Sequence, residues 1–226
     1  MSAMGPTGKN FPAARALASA FLLLALLLPW RGAFAAPAAA ARRPIETCGM
    51  VIAAAEQAFG IPRQLLAAIA RAESGRWIAE RQANFAWPWT VTAGGEGRYF
   101  ESKQAAIAEV KRLRRDGVTN IDVGCLQINL LYHPRAFRSL ESAFDPMENA
   151  IYAARLLKEL YLSTLDWTDA VALYHSANPS TRYRYLDKVS RYWYDEHRRA
   201  ILALIRARRR QLLSMQESGE NLIQVP

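Results

Sequence analysis

Apolar and polar residues alternate along most of this chain with the period of a helix. Val51, Ile52, Ala55 and Phe59 share one side of a segment that Thr47 can cap and Gly60 can stop, which predicts a helix from Cys48 to Phe59. The next segment, Ile61 to Gly75, predicts a second helix with Pro62 at its first position, where a fixed φ and a missing N–H cost nothing. At about 100° per residue, Leu66, Ile69 and Glu73 fall in one sector. Leu65 and Ala70 flank that sector, while Arg63, Gln64, Arg71 and Ser74 point elsewhere. Trp77 is expected to pack near the helix end.

The helical period is lost between Gln82 and Phe100. Asn84-Phe85-Ala86-Trp87-Pro88-Trp89 is aromatic and interrupted by proline. Trp89 to Thr92 and Arg98 to Phe100 flank a glycine-rich turn, which predicts a short β-hairpin. Its aromatic residues suit either a small core or a groove that stacks on sugar rings. Ser102 then caps a helix to Arg115, with Ile107, Val110 and Leu113 inward and Lys111, Arg112, Arg114 and Arg115 on a solvated face. Asn120 to Val123 is a short extended piece. Asp145-Pro146-Met147-Glu148 starts a helix that turns Ile151, Ala154, Leu157 and Leu160 to the core. Trp167 to His175 predicts another, and a long helix is expected from about Arg182 to Ser214. About seven helices and one hairpin make the chain mainly α.

The first 35 residues stand apart. Lys9 and Arg15 precede an apolar run from Ala16 to Leu28, and Ala33-Phe34-Ala35 is a small-x-small site. This is the pattern of a secretory signal peptide, and a retained signal anchor is the alternative. The expected organisation is a signal peptide over 1–35, a linker over 36–46, a catalytic or binding domain over 47–195, a basic helical extension over 196–216 and a disordered tail over 217–226.

Charge and cysteines extend this picture. The 226 residues carry a formal net charge of +9, and removing the signal segment leaves +6 on 191 residues. A basic exported protein, expected in the periplasm, is drawn to acidic polymers or anionic surfaces. The chain has no nucleic-acid motif. The helix end from Ile201 to Leu213 bears Arg206, Arg208, Arg209 and Arg210, and suits weak contact with anionic lipid, a partner protein, or simple solvation. Cys48 and Cys125 are the two cysteines; in an oxidising compartment an even count suggests a disulfide, with two buried thiols as the alternative.

The three histidines are too dispersed for a metal motif, and serine-hydrolase and phosphate-loop motifs are missing. No metal and no cofactor is therefore expected. Glu73 remains. A carboxylate on an apolar stripe either snorkels to solvent or loses water, and in the second case its pKa rises toward the range of a general acid.

Together, Glu73-Ser74-Gly75, Gly124-Cys125-Leu126-Gln127-Ile128-Asn129, Ala172-Leu173-Tyr174-His175-Ser176, and Tyr185 with Val189 resemble the soluble lytic transglycosylase catalytic domain. The G-x-x-Q-I-N form is similar to the small enzymes that serve secretion, conjugation and flagellar machinery. The resemblance covers about Cys48 to Tyr194. It implies a goose-type-lysozyme-like fold with a substrate cleft, acting on peptidoglycan glycan strands. It implies Glu73 as the sole acid/base, which cuts between N-acetylmuramic acid and N-acetylglucosamine and leaves a 1,6-anhydro end. It implies Ser74, Gln127, Asn129, Tyr174 and Tyr185 as residues that bind substrate or orient the acid. Where the family usually has Asn-Ala-Gly after the tyrosine, this chain has His175-Ser176-Ala177. A lysozyme-type hydrolase, with Asp122 or Glu101 activating water, and a non-catalytic wall-binding module are the alternatives.

Overall fold

The computed structural model describes residues 44–176 and 178–217, which belong to one compact unit. The expected signal segment, the linker up to Arg43 and the tail beyond Glu217 lie outside the described residues. The chain is mainly α-helical with a small antiparallel sheet component.

The first helix, α1 (Pro44–Phe59), starts earlier than Thr47 predicts, because Pro44 occupies the first helical position and Glu46 favours the positive end of the helix dipole. Three residues of the expected linker are therefore helical. The second helix, α2 (Leu65–Ser74), starts later than Pro62 predicts. Pro62 to Gln64 form a turn instead, closed by the Leu65 N–H donating to the Pro62 carbonyl at 3.1 Å, with Gln64 at φ 62°. The cap comes from another helix: the buried Glu56 carboxylate accepts from Gln64 N at 2.9 Å and Ala67 N at 3.1 Å. These are the donors that a helix N-terminus leaves open.

Eight of the ten residues of α2 are buried, including Arg71 and Ser74. Leu65, Leu66, Ile69 and Ala70 are buried as expected, and burial extends to the other side, so the helix is enclosed nearly all round, as a helix in the centre of a domain is. Arg71 is accommodated by its partners, with Nη1 2.8 Å from both Asp195 and Glu196 and the guanidinium 4.4 Å over the Tyr192 ring. Around α2 pack α1, α5 (Pro146–Thr164), α6 (Trp167–His175) and the first half of α7 (Pro179–Glu217). The start of α5 follows its sequence signal, with Asp145 capping through its carboxylate, and Asp166 caps α6 in the same way.

One hairpin was expected, and there are two separate sheets. Strand β1 (Gly75–Ile78) pairs with β2 (Ala83–Ala86). The second sheet has the order β4-β3-β5-β6, from β3 (Thr90–Ala93), β4 (Glu96–Tyr99), β5 (Ile121–Val123) and β6 (Ile128–Asn129). The β3–β4 hairpin was read from the sequence, and β5 as a short extended piece over Asn120 to Val123, but not the other strands or their pairing. The remaining strands are two to four residues long, too short for a period of two to register. This sheet packs against α3 (Lys103–Arg115) and the short α4 (Leu140–Ala143) in a second core of Val91, Ile107, Val110, Ile121, Val123 and Phe144. Ser102 caps α3 as predicted, accepting from Ala105 N.

The aromatic segment is divided between core and surface. Trp87 is buried, donates Nε1–H to the Phe100 carbonyl at 2.6 Å and meets Trp89 edge-on at 6.0 Å. Trp77 does not pack on the helix end. It lies on β1 opposite Asn84 and is 55% exposed.

Candidate functional site

Glu73 sits one residue before the end of α2, where the chain passes directly into β1. Gly75 makes this junction. A Cβ there would lie 2.3 Å from the Arg71 carbonyl oxygen, so only glycine lets the strand leave this tightly. In an otherwise enclosed helix, Glu73 is one of the two residues that retain some exposure.

Its carboxyl pKa is pushed up to about 7. Loss of water is the main cause. The Tyr185 hydroxyl and the Lys188 ammonium act in the opposite direction, and Asp122 adds a small push upward. Tyr185 and Lys188 come from α7. Lys188 is held by donating to the Ala72 carbonyl at the end of α2. The Tyr185 hydroxyl is buried beside Glu73 and interacts with its carboxyl, but makes no bond of regular geometry among the described residues. Its ring stacks on His175 at 4.4 Å and 6°. Burial and the nearby Lys188 lower the His175 pKa, while Asp122 opposes them. A carboxyl near neutrality, a poorly paired phenol, an ammonium and an imidazole are therefore gathered at one helix end.

The remaining residues expected at the site divide into two groups. Ser74 is fully buried and its hydroxyl is already committed, so it holds the frame. Its hydroxyl donates to the Cys125 carbonyl at 2.6 Å and accepts from Trp87 N at 3.3 Å. Tyr174 likewise ties α6 to the loop after β5, donating to the Leu126 carbonyl at 2.9 Å. Its phenol is pushed well above its usual range by burial and by Glu73 and Asp122. Asn129 is also occupied. Its Nδ2 donates to Asn120 and Asp122 at 2.6 and 2.8 Å, and its Oδ1 accepts from Leu131 and Tyr132 N–H groups at 2.9 Å each. It is therefore not a free amide. It sets the position of Asp122, whose pKa is raised by burial and lowered by that same bond.

Gln127 differs from these three. It is held at φ 47°, a conformation unusual for a residue with a side chain. Its Nε2 donates to the Thr90 and Gly124 carbonyls at 3.1 and 3.0 Å, and its buried Oε1 has no partner among the described residues. Gln127 and Tyr185 thus each present an unsatisfied polar atom, on the loop and the helix that flank the end of α2.

Two features fix that loop. Cys48 of α1 and Cys125 are joined by a disulfide with a Cα–Cα distance of 6.0 Å. Asn149 of α5, fully buried, accepts from Leu126 N at 2.9 Å and donates to the Val123 and Ala143 carbonyls at 3.0 and 3.2 Å. Gly124 passes so close to Asn149, at φ 87°, that a Cβ would lie 2.3 Å from its Nδ2. Sequence reasoning missed Asn149. The available signal was a lone amide on a helix face otherwise lined by Ala150, Ala153, Ala154 and Leu157, all buried.

A cavity of about 280 Å³ lies elsewhere, lined by Ile52, Ala67, Arg71, Phe85 and Glu196 among others, and Glu73 does not line it. Among the described residues no group of His, Cys, Asp or Glu is placed to hold a metal ion. No protein-family model, curated protein or solved structure matches this chain.

Proposed function

We propose that this chain is a peptidoglycan lytic transglycosylase with a lysozyme-like fold, acting on glycan strands in the periplasm. The observation that carries the reading is Glu73, a desolvated carboxyl with a pKa of about 7 at a partly exposed helix end. Such a group is protonated often enough to donate and ionised often enough to accept.

In this reading Glu73 gives its proton to the oxygen linking N-acetylmuramic acid to N-acetylglucosamine, and that bond breaks. The resulting carboxylate then takes the proton of the muramic C6 hydroxyl as its oxygen attacks C1. The product is a 1,6-anhydro ring, and no water is consumed. The substrate's acetamido group stabilises the intermediate, so one protein carboxylate suffices, unlike the usual two-carboxylate arrangement. This reading assigns Gln127 Oε1 and the Tyr185 hydroxyl to the sugar, because neither is committed to a regular hydrogen bond within the protein. The basic charge of the chain favours an anionic polymer. Service to a secretion, conjugation or flagellar assembly belongs to the same proposal.

Asp122 supports a second reading. It is close enough to Glu73 to affect its pKa, and a second carboxyl is what a hydrolase would use to activate water. Mass spectrometry of products from purified sacculi separates the two. Anhydromuropeptides are expected, and products about one water heavier would replace the transglycosylase by a muramidase. Glu73→Gln should abolish release of either product while the protein still binds sacculi. Retained turnover in that variant would overturn both readings.

A further inference from the structure

The second half of α7 leaves the domain. The helix touches the body through Tyr185, Val189 and Trp193, and contact continues to Arg199, whose guanidinium lies 5.7 Å over the Phe85 ring. The boundary expected at 196 therefore falls a few residues later. From Ile201 to Ser214 every residue is exposed. At 1.5 Å per residue, the part of the helix from 201 to 217 is about 25 Å long.

That segment is too apolar for a helix designed only to sit in water. Ile201, Leu204, Ile205 and Leu212 are 56, 68, 58 and 36% exposed. At about 100° per residue they fall within one arc of about 100°, opposite Arg199, Arg206 and Arg210. Leu202 and Leu213 lie on one flank, also exposed. Arg208 alone falls within the apolar arc, and its long stem can carry its charge aside, as its hydrogen bond to Gln211 does at 3.0 Å. Exposed apolar residues at this density mark a surface that something covers.

Charge decides what covers it. Between Glu196 and Glu217 there are six arginines and no acid. Arg198 and Arg199 pair with Asp195 and Glu196, which they share with Arg71. No acid among the described residues pairs with Arg206, Arg208, Arg209 or Arg210. A second copy of the helix would bring like charges together without compensation. A neutral bilayer would leave the arginines unused. No helix of the described residues is long and apolar enough to cross a membrane. We propose that residues 201–214 form an interfacial helix that lies on an anionic lipid surface, with its apolar arc in the acyl boundary and its arginines among the headgroups. This inference does not depend on the chemistry at Glu73.

The test places a polarity-sensitive fluorophore on Leu204→Cys in the full chain, whose native cysteines are both held in the disulfide. Ala203→Cys, at an exposed position outside the apolar arc, is the control. The N-terminal apolar run is common to all variants, so the label reports α7 itself. With phosphatidylglycerol-containing vesicles the Leu204 label should shift to the blue and the Ala203 label much less. The shift should vanish with pure phosphatidylcholine and at high salt. Replacing Arg206, Arg209 and Arg210 by Gln should raise the lipid concentration needed by about fivefold per arginine. An unchanged Leu204 label with anionic vesicles would overturn the proposal, as would an equal shift with neutral ones. A shift that grows with protein concentration in the absence of lipid would overturn it too, by making the occupant a second copy.

Discussion

The Tyr185 hydroxyl lies buried near the Glu73 carboxyl, yet the two are not in regular hydrogen-bond geometry. Folding has desolvated a phenol and left it poorly paired beside a carboxyl whose pKa is pushed up to about 7. An unpaired buried donor costs stability, of the order of 1–3 kcal/mol. A bound oxygen could remove that cost, which makes Tyr185 a natural contact for a sugar.

Tyr185→Phe should therefore separate stability from function. The ring still stacks on His175 and a poorly paired hydroxyl is gone, so at about pH 5, where Glu73 is protonated, stability should hold or rise by up to about 1 kcal/mol. Muropeptide release should fall roughly tenfold or more, because a positioned polar contact is lost. The Tyr185 hydroxyl also lowers the Glu73 pKa, so the alkaline limb of the pH–rate profile should move upward. Urea unfolding and rate profiles on the same preparation check this; a variant that is both less stable and fully active would remove Tyr185 from the site.

The raised Glu73 pKa predicts the pH dependence. Release should decline as pH rises through about 7, where the carboxyl loses the proton it must donate. The same shift acts on folding. The folded state holds this proton more tightly than the unfolded chain, so stability is lost between the unfolded value near 4.5 and the folded value near 7. Glu73→Gln removes that loss. After allowing for the partial exposure of the group, it should be more stable than the parent by about 2 kcal/mol at pH 8 and equal to it at pH 4. Urea midpoints at the two pH values measure the difference, and no pH-dependent gain would mean that Glu73 is not desolvated.

Asn149 should matter as much to the loop as any residue in it. Asn149→Ala leaves Leu126 N–H without its partner and the Val123 and Ala143 carbonyls without this donor. We expect a loss of about 2–4 kcal/mol in urea unfolding, with activity reduced well beyond the unfolded fraction because Gln127 is no longer held. Amide exchange should quicken first at Leu126.

The disulfide closes a sequence separation of 77 residues between α1 and the same loop. On the chain-entropy account such a link contributes about 4 kcal/mol. The double variant Cys48→Ala, Cys125→Ala should lose about 2–4 kcal/mol, and reductant should leave it unaffected while destabilising the parent. Equal stability of parent and variant without reductant would show that the bonds of Asn149, Ser74 and Tyr174 hold the loop without the disulfide.

What the sequence determined on its own was local. The Asp145-Pro146 start of α5, the Ser102 cap of α3 and the β3–β4 hairpin were all readable, because each signal lies within a few residues of the structure it makes. Glu73 stood out for the same reason, as a carboxyl out of place on an apolar stripe. What only the tertiary structure decided was which side chains were already occupied. Nothing local shows that Ser74 is committed to Cys125, or Asn129 to Asp122 and two backbone amides. Nor does anything local show that Glu56 caps a helix other than its own, or that Asn149 holds a loop 23 residues away. A polar side chain looks the same in a sequence whether its partner is water, substrate or distant backbone. Its availability is settled only when folding removes water and leaves some atoms, such as Tyr185 Oη and Gln127 Oε1, without a replacement.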